Sequence, residues 1–253
     1  ERGLRTLVVD LDPQSNSTQY LLGQHAAKVH PTLSDYFKQV LDLTYSLSSA
    51  HDFVHPTPFN NLFIIPASGE LETLQHPLNA RKKLYKLRAL LDAISHFDCV
   101  FMDTPPALNF YTQSALIAGD TCLIPFDCDL FSRNAIYNLI RGVSDIREQY
   151  HAHLRVEGVI VNQFQASASL PQKLVDELKV EGLPIIPTFL TQSVKIRESH
   201  DMGLPMIHYD PKHKVTLEFL RIFQTLQTHE ITQPDALPKT SVKKSIKEML
   251  EDA

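Results

Sequence analysis

Short, mainly apolar runs alternate along this chain with helix-period patterns, and that alternation leaves few folds open. The runs fall at residues 6–10, 62–66, 99–103, 121–126, 158–161 and 184–190. Continuous apolar character, rather than every-other-residue alternation, marks strands buried on both faces. Between the runs, Leu84, Leu87, Leu91 and Ile94 share one helical face, as do Ile136, Leu139, Ile140, Val143 and Ile146. Leu174 and Leu178 mark a third helix, and Leu217, Leu220, Phe223 and Leu226 a fourth. Strands alternating with amphipathic helices predict βαβ units and a mainly parallel sheet.

With 253 residues and 43% apolar content, the chain can bury a full core as one large α/β domain. No run approaches the eighteen apolar residues of a membrane span, and no export signal is visible. The chain begins with Glu1, as expected of a fragment. Its three cysteines, Cys99, Cys122 and Cys128, lack metal-ligand spacing and read as reduced core thiols of a cytoplasmic protein. A net charge of −5 argues against a wholly basic nucleic-acid binder but leaves room for a local basic patch. Segment 24–61 reads as short helices and loops. The globular domain is expected over 1–230 and a linker with a short helix, capped by Ser241, over 231–253.

Two motifs carry chemistry. In Val8-Val9-Asp10-Leu11-Asp12-Pro13-Gln14, a buried strand delivers Asp10 to its carboxyl end, and Asp12 follows just before a proline that stops pairing. In Val100-Phe101-Met102-Asp103-Thr104-Pro105-Pro106, a second strand ends in Asp103 and a stiff turn. Ligands of open α/β sheets bind at that carboxyl edge. Carboxylates there suit a hard cation such as magnesium and an activated water.

Both motifs resemble the ParA/Soj type of deviant Walker partition ATPase, in the ParA/MinD superfamily. The first resembles the Asp-x-Asp-Pro-Gln segment and the second the Walker B strand running into switch II. Other stretches follow in the family's order: Ala118–Pro125, Asp129 where the family often has Glu, Gly158-Val159-Ile160-Val161-Asn162, residues 182–198, and Tyr209-Asp210-Pro211. Ser15-Asn16-Ser17-Thr18 replaces the usual Gly-Asn-Ala-Thr, and Thr191-Gln192 the usual Pro-Arg. The resemblance implies a doubly wound, P-loop NTPase-like fold with helices on both faces, binding ATP and Mg2+. It makes Asp12 the residue that orients the attacking water and places Asp10 and Asp103 at the metal. Asp10, Thr104 and Asn162 become nucleotide contacts, with Asn162 at the adenine. The phosphate loop itself is absent: none of the eight glycines is followed by lysine. The family's first strand and loop are therefore expected upstream of Glu1.

Arg81, Lys82, Lys83, Lys86 and Arg88 read as a solvated helix face. Lys195 matches a DNA-contacting position of the family, and Arg197, Lys212, Lys214 and Arg221 stand near it in the pattern. The resemblance thus implies an ATP-dependent switch, cytoplasmic and nucleoid-associated, that forms a homodimer with ATP. It would bind double-stranded DNA without sequence preference and answer to a ParB-like or other activating partner. Its cargo would be a plasmid, chromosome origin or polar complex. The 253-residue chain alone is expected to be inactive as an ATPase. Two alternatives stay open: an ATP-dependent ligase or synthetase of the same superfamily, and an interaction module that lost nucleotide binding.

Overall fold

Leu7 and Val9 of β1 (Thr6–Asp10) are fully buried, which makes the first apolar run the interior strand of a sheet. In chain order there follow α1 (Asn16–Leu22), α2 (Leu33–Leu41), β2 (His55–Pro56), β3 (Leu62–Ile65), α3 (Leu71–Ala80), α4 (Lys86–Asp92), β4 (Cys99–Asp103) and α5 (Phe110–Ala118). Then come β5 (Thr121–Asp127), α6 (Leu130–Gln149), β6 (Arg155–Asn162), α7 (Ser169–Val180), α8 (Val194–Asp201), α9 (Met206–Tyr209) and α10 (Lys214–Thr228). The structure, a computed structural model, describes residues 3–42, 49–94, 96–128 and 130–228, of which 130–134 and 228 are described by their backbone alone. Asp129 and the expected linker and tail helix at 231–253 lie outside the described residues.

The chain divides into two compact units. The first comprises Glu1–Asp120, Ile146–Leu154 and His200–Leu204; the second comprises Thr121–Asp145, Arg155–Ser199 and Pro205–Ala253. The first unit holds a sheet of order β2-β3-β1-β4, parallel except for the short β2. Asp10 of β1 stands directly opposite Asp103 of β4 in this register. Segment 24–61 holds the short helix α2 among its loops. Thr32 and Asp35 form a capping box at the start of α2, which buries Leu33 and Phe37 completely. Phe37 meets the rings of Phe110 and Tyr111 at 6.0 and 5.8 Å.

In the second unit β5 and β6 run parallel, with Asp127 opposite Asn162 at their carboxyl ends. The run at 184–190 does not form the expected strand. It joins β6 only through an isolated bridge from Ile185 to Val159 and the bond from Leu190 N–H to the Val161 carbonyl (2.9 Å). Pro184 and Pro187 have no N–H to give, so the ladder is interrupted. The fourth helix forms but turns a different face inward. α10 buries Val215, Glu218 and Ile222, while Leu217 and Leu220 remain exposed. Ile222 packs with Ile186 and Leu190, and the half-buried Leu226 lies against them. Among the described residues, no helix is long and apolar enough to cross a membrane.

Candidate nucleotide and metal site

Asp10 is fully buried at the end of β1. Its Oδ2 accepts from Thr18 N–H (2.8 Å) and Thr18 Oγ1–H (2.6 Å), and its Oδ1 from Asp12 N–H (3.1 Å). Thr18 Oγ1 in turn accepts from Ala67 N–H at 2.9 Å, tying the start of α1 to the end of β3. Burial pushes the Asp10 carboxyl up to about 6 against the pull of these hydrogen bonds, and the charge of Asp103 adds to the rise.

Asp103 is exposed, and its Oδ2 accepts from Ser17 Oγ–H at 2.6 Å. Asp12, half-buried, turns the chain toward α1: its Oδ1 accepts from Gln14 N–H (2.9 Å) and its carbonyl from Ser15 N–H (2.9 Å). Ser15 enters the helix in the left-handed region, at φ 56°. Each strand-end acid is thus held by a hydroxyl from the first turn of one helix. Ser17 and Thr18 were not singled out as site residues from the sequence. Ser17 stands where the family usually has Ala and Thr18 where it has Thr, so the only signal for them was a hydroxyl at each of two successive positions after Gln14. Thr104 is half-buried, and the turn after it is pinned by Thr112, whose Oγ1–H faces the Ala107 carbonyl at 2.7 Å. Asn109 caps α5 by accepting from Tyr111 and Thr112 N–H.

In the second unit, Asn162 Nδ2–H donates to Asp127 Oδ1 at 2.9 Å. Thr191, in the turn that departs from the family's Pro-Arg, donates its N–H to the buried Glu218 carboxylate at 2.9 Å. Of the expected DNA-contacting residues, Lys195 lies 2.7 Å from Glu198 and 5.5 Å over the Tyr209 ring. The Glu198 carboxylate holds the Lys195 ammonium above its ordinary range. Lys214 pairs with Glu218 at 3.7 Å. Arg197, Lys212 and Arg221 are exposed and carry no ion pair among the described residues.

The family described as "AAA domain" (AAA_31) matches residues 1–156, more than half of the chain. The chain belongs to that family. This AAA_31 chain sits in the ParA/MinD superfamily. It is 28% identical over 215 residues to the sporulation initiation inhibitor protein Soj of Bacillus subtilis, covering 84% of this chain and 82% of that protein. It is 25% identical over 229 residues to the chromosome partitioning protein ParA of Myxococcus xanthus, covering 89% and 78%. Among solved structures, cobyrinic acid a,c-diamide synthase from Mycobacterium smegmatis with bound ATP analog and magnesium shares a TM-score of 0.75 at 20% identity, over 91% of this chain and 85% of that one. At that identity the likeness shows the α/β fold alone.

The donors of this AAA_31 chain fit magnesium better than a fully protein-enclosed metal. Among the described residues, no group of three or more His, Cys, Asp or Glu side chains could hold a metal ion. Magnesium keeps several waters and binds through one or two carboxylates plus phosphate oxygens. The exposed Asp103, with the Ser17 hydroxyl beside it, suits that role. Both Asp10 oxygens already accept hydrogen bonds.

Proposed function

We propose that this protein is an ATP-dependent switch of the partition type. In this reading it dimerises with ATP, binds double-stranded DNA without sequence preference, and positions a plasmid, chromosome origin or polar complex in the cytoplasm. A ParB-like or other activating protein would stimulate hydrolysis. The observation that carries the reading is the register pair Asp10–Asp103, each acid bonded to a hydroxyl of α1, with Asp12 immediately beyond. Relatives named ParA and Soj support it.

Asp103 and Ser17 would hold magnesium, which on binding neutralises phosphate charge. Asp10 holds Thr18, and with it the first turn of α1, against the sheet. Asp12 orients the attacking water and takes up its proton at the carboxylate. Thr104 follows the metal-side acid into the switch turn, and Asn162 contacts the adenine. Lys195, Arg197, Lys212, Lys214 and Arg221 would meet DNA phosphates, so affinity falls with salt by roughly 0.9 log unit per log unit of salt for each phosphate neutralised. ATP turnover and ATP-dependent DNA binding of the full-length protein test this reading. Asp12→Ala should slow hydrolysis by roughly a hundredfold or more while ATP affinity survives. Asp103→Ala should weaken magnesium-dependent nucleotide binding itself. Equal loss of ATP affinity in both variants would refute the division of roles, and DNA binding indifferent to nucleotide would refute the switch.

A further inference from the structure

The carboxyl edge of the second unit's sheet carries an acid that the hydrolytic chemistry does not use. Asp127 and Asn162 are register partners at the ends of parallel β5 and β6. Asp127 Oδ1 accepts from Asn162 Nδ2–H at 2.9 Å, and its Oδ2 accepts from Gln163 Nε2–H at 3.3 Å. Gln163 sits in the left-handed region, at φ 49°, so the backbone breaks direction immediately after Asn162. Non-glycine residues hold such a conformation only where their surroundings enforce it, and sites of function are where this concentrates.

An ionised carboxylate offers acceptors only, so an amide can meet it only through its NH2 end. Asn162 is therefore held with its carbonyl oxygen turned away from Asp127. That oxygen has no hydrogen-bond partner among the described residues, and one N–H of the amide is also left over.

We propose that Asp127 is a positioning residue that locks the Asn162 amide in the orientation that accepts adenine and rejects guanine. The proposal rests on the ATP reading above. Adenine presents an exocyclic N–H2 next to a ring-nitrogen acceptor, and an asparagine carbonyl and N–H match that edge as a bidentate pair. Guanine places a carbonyl where adenine has its amine. A locked Asn162 would then oppose carbonyl to carbonyl and leave both unpaired, which is how polar sites reject near-isosteres. On the edge that carries N1, where guanine presents an N–H beside its carbonyl, a free amide could rotate by half a turn and serve either base. On this account Asn162 touches the base, but Asp127 decides which base.

The lock can be read without nucleotide. In nuclear magnetic resonance spectra of the 253-residue chain, the Asn162 side-chain NH2 protons should be well separated in the natural protein. They should collapse toward ordinary amide positions in Asp127→Ala and in the near-isosteric Asp127→Leu, neither of which offers an acceptor, with unchanged melting temperature as the folding control. Unchanged Asn162 NH2 signals in both variants would overturn the lock. In the full-length protein, competition of ATP and GTP against a fluorescent ATP analogue with magnesium reads its consequence. Both variants should lose on the order of tenfold in the preference for ATP over GTP. If the natural protein binds ATP and that preference does not move, the role of Asp127 is overturned while the ATP reading stands. If the natural protein binds neither nucleotide, the ATP reading fails and the proposal falls with it.

Discussion

At Asp10, burial and hydrogen bonding pull in opposite directions, and burial wins. Three donors favour the charged form, yet the carboxyl rises from its ordinary 3.8 to about 6. The folded protein therefore binds this proton more tightly than the unfolded chain does. The stability it brings is complete below about pH 3.8 and is lost as pH rises through about 6. At roughly 1.4 kcal/mol per pH unit, the loss is on the order of 3 kcal/mol. Asp10→Asn is uncharged at every pH and gives up one acceptor, a cost of about 1 kcal/mol that does not vary with pH. Its melting temperature relative to the natural protein should thus rise between pH 5 and pH 8, measured without divalent metal. A constant difference across that range would show that Asp10 is not the titrating group. The three acids were readable from the sequence because a carboxylate closing or following a mainly apolar run marks where a strand reaches its carboxyl end. Ser17 and Thr18 were not, because hydroxyls are common at helix starts and only the fold shows which acid each one meets.

Among the elements, α10 departs furthest from its sequence pattern. The spacing of Leu217, Leu220, Phe223 and Leu226 is a proper helical stripe, but Leu217 and Leu220 face solvent at 40% and 38% exposure. The inward stripe includes a glutamate, which sequence rules place outside. Glu218 tolerates burial because the Thr191 N–H and hydroxyl and the Lys214 ammonium satisfy its carboxylate. Ile222→Ala should therefore cost about 2–5 kcal/mol in urea denaturation, as a buried large-to-small change does. Leu220→Ala should stay within about 0.5 kcal/mol, as exposed substitutions do. The reverse ranking would restore the face expected from the sequence. The run at 184–190 fails for a different reason: its apolar content is right for a strand, but its two prolines have no N–H to donate, and Pro184 pairs only through its carbonyl, which accepts from Val159 N–H at 2.8 Å.

For the whole molecule, charge balance matters more than any one cation. A chain of net charge −5 repels DNA at long range, so the proposed DNA binding requires a local basic patch around Lys195. In the structure the Glu198 carboxylate already occupies Lys195, with the Tyr209 hydroxyl hydrogen-bonded to the same carboxylate at 2.9 Å. Glu198→Gln should free Lys195 and strengthen DNA binding at all sequences, with a steeper salt dependence by about 0.9 log unit if one more phosphate is neutralised. Lys195→Glu should do the opposite. Fluorescence anisotropy with two unrelated duplexes at two salt concentrations separates these outcomes, and identical affinities in all three proteins would remove Lys195 from the interface.

Several properties follow from the sequence alone: the α/β class, the mainly parallel pairing, and the strand-end placement of Asp10, Asp12, Asp103 and Asn162. Apolar runs of that length read as strands that end in a turn at the next polar residue, although β4 lies at the edge of its sheet with Val100 and Phe101 exposed rather than buried on both faces. Only the tertiary structure decided the partners. Ser17 meets Asp103 across 86 positions, Asn162 meets Asp127 across 35, and Glu218 is buried by Thr191 across 27. Such pairs are set by strand register and helix docking, and no local pattern of residue types encodes them.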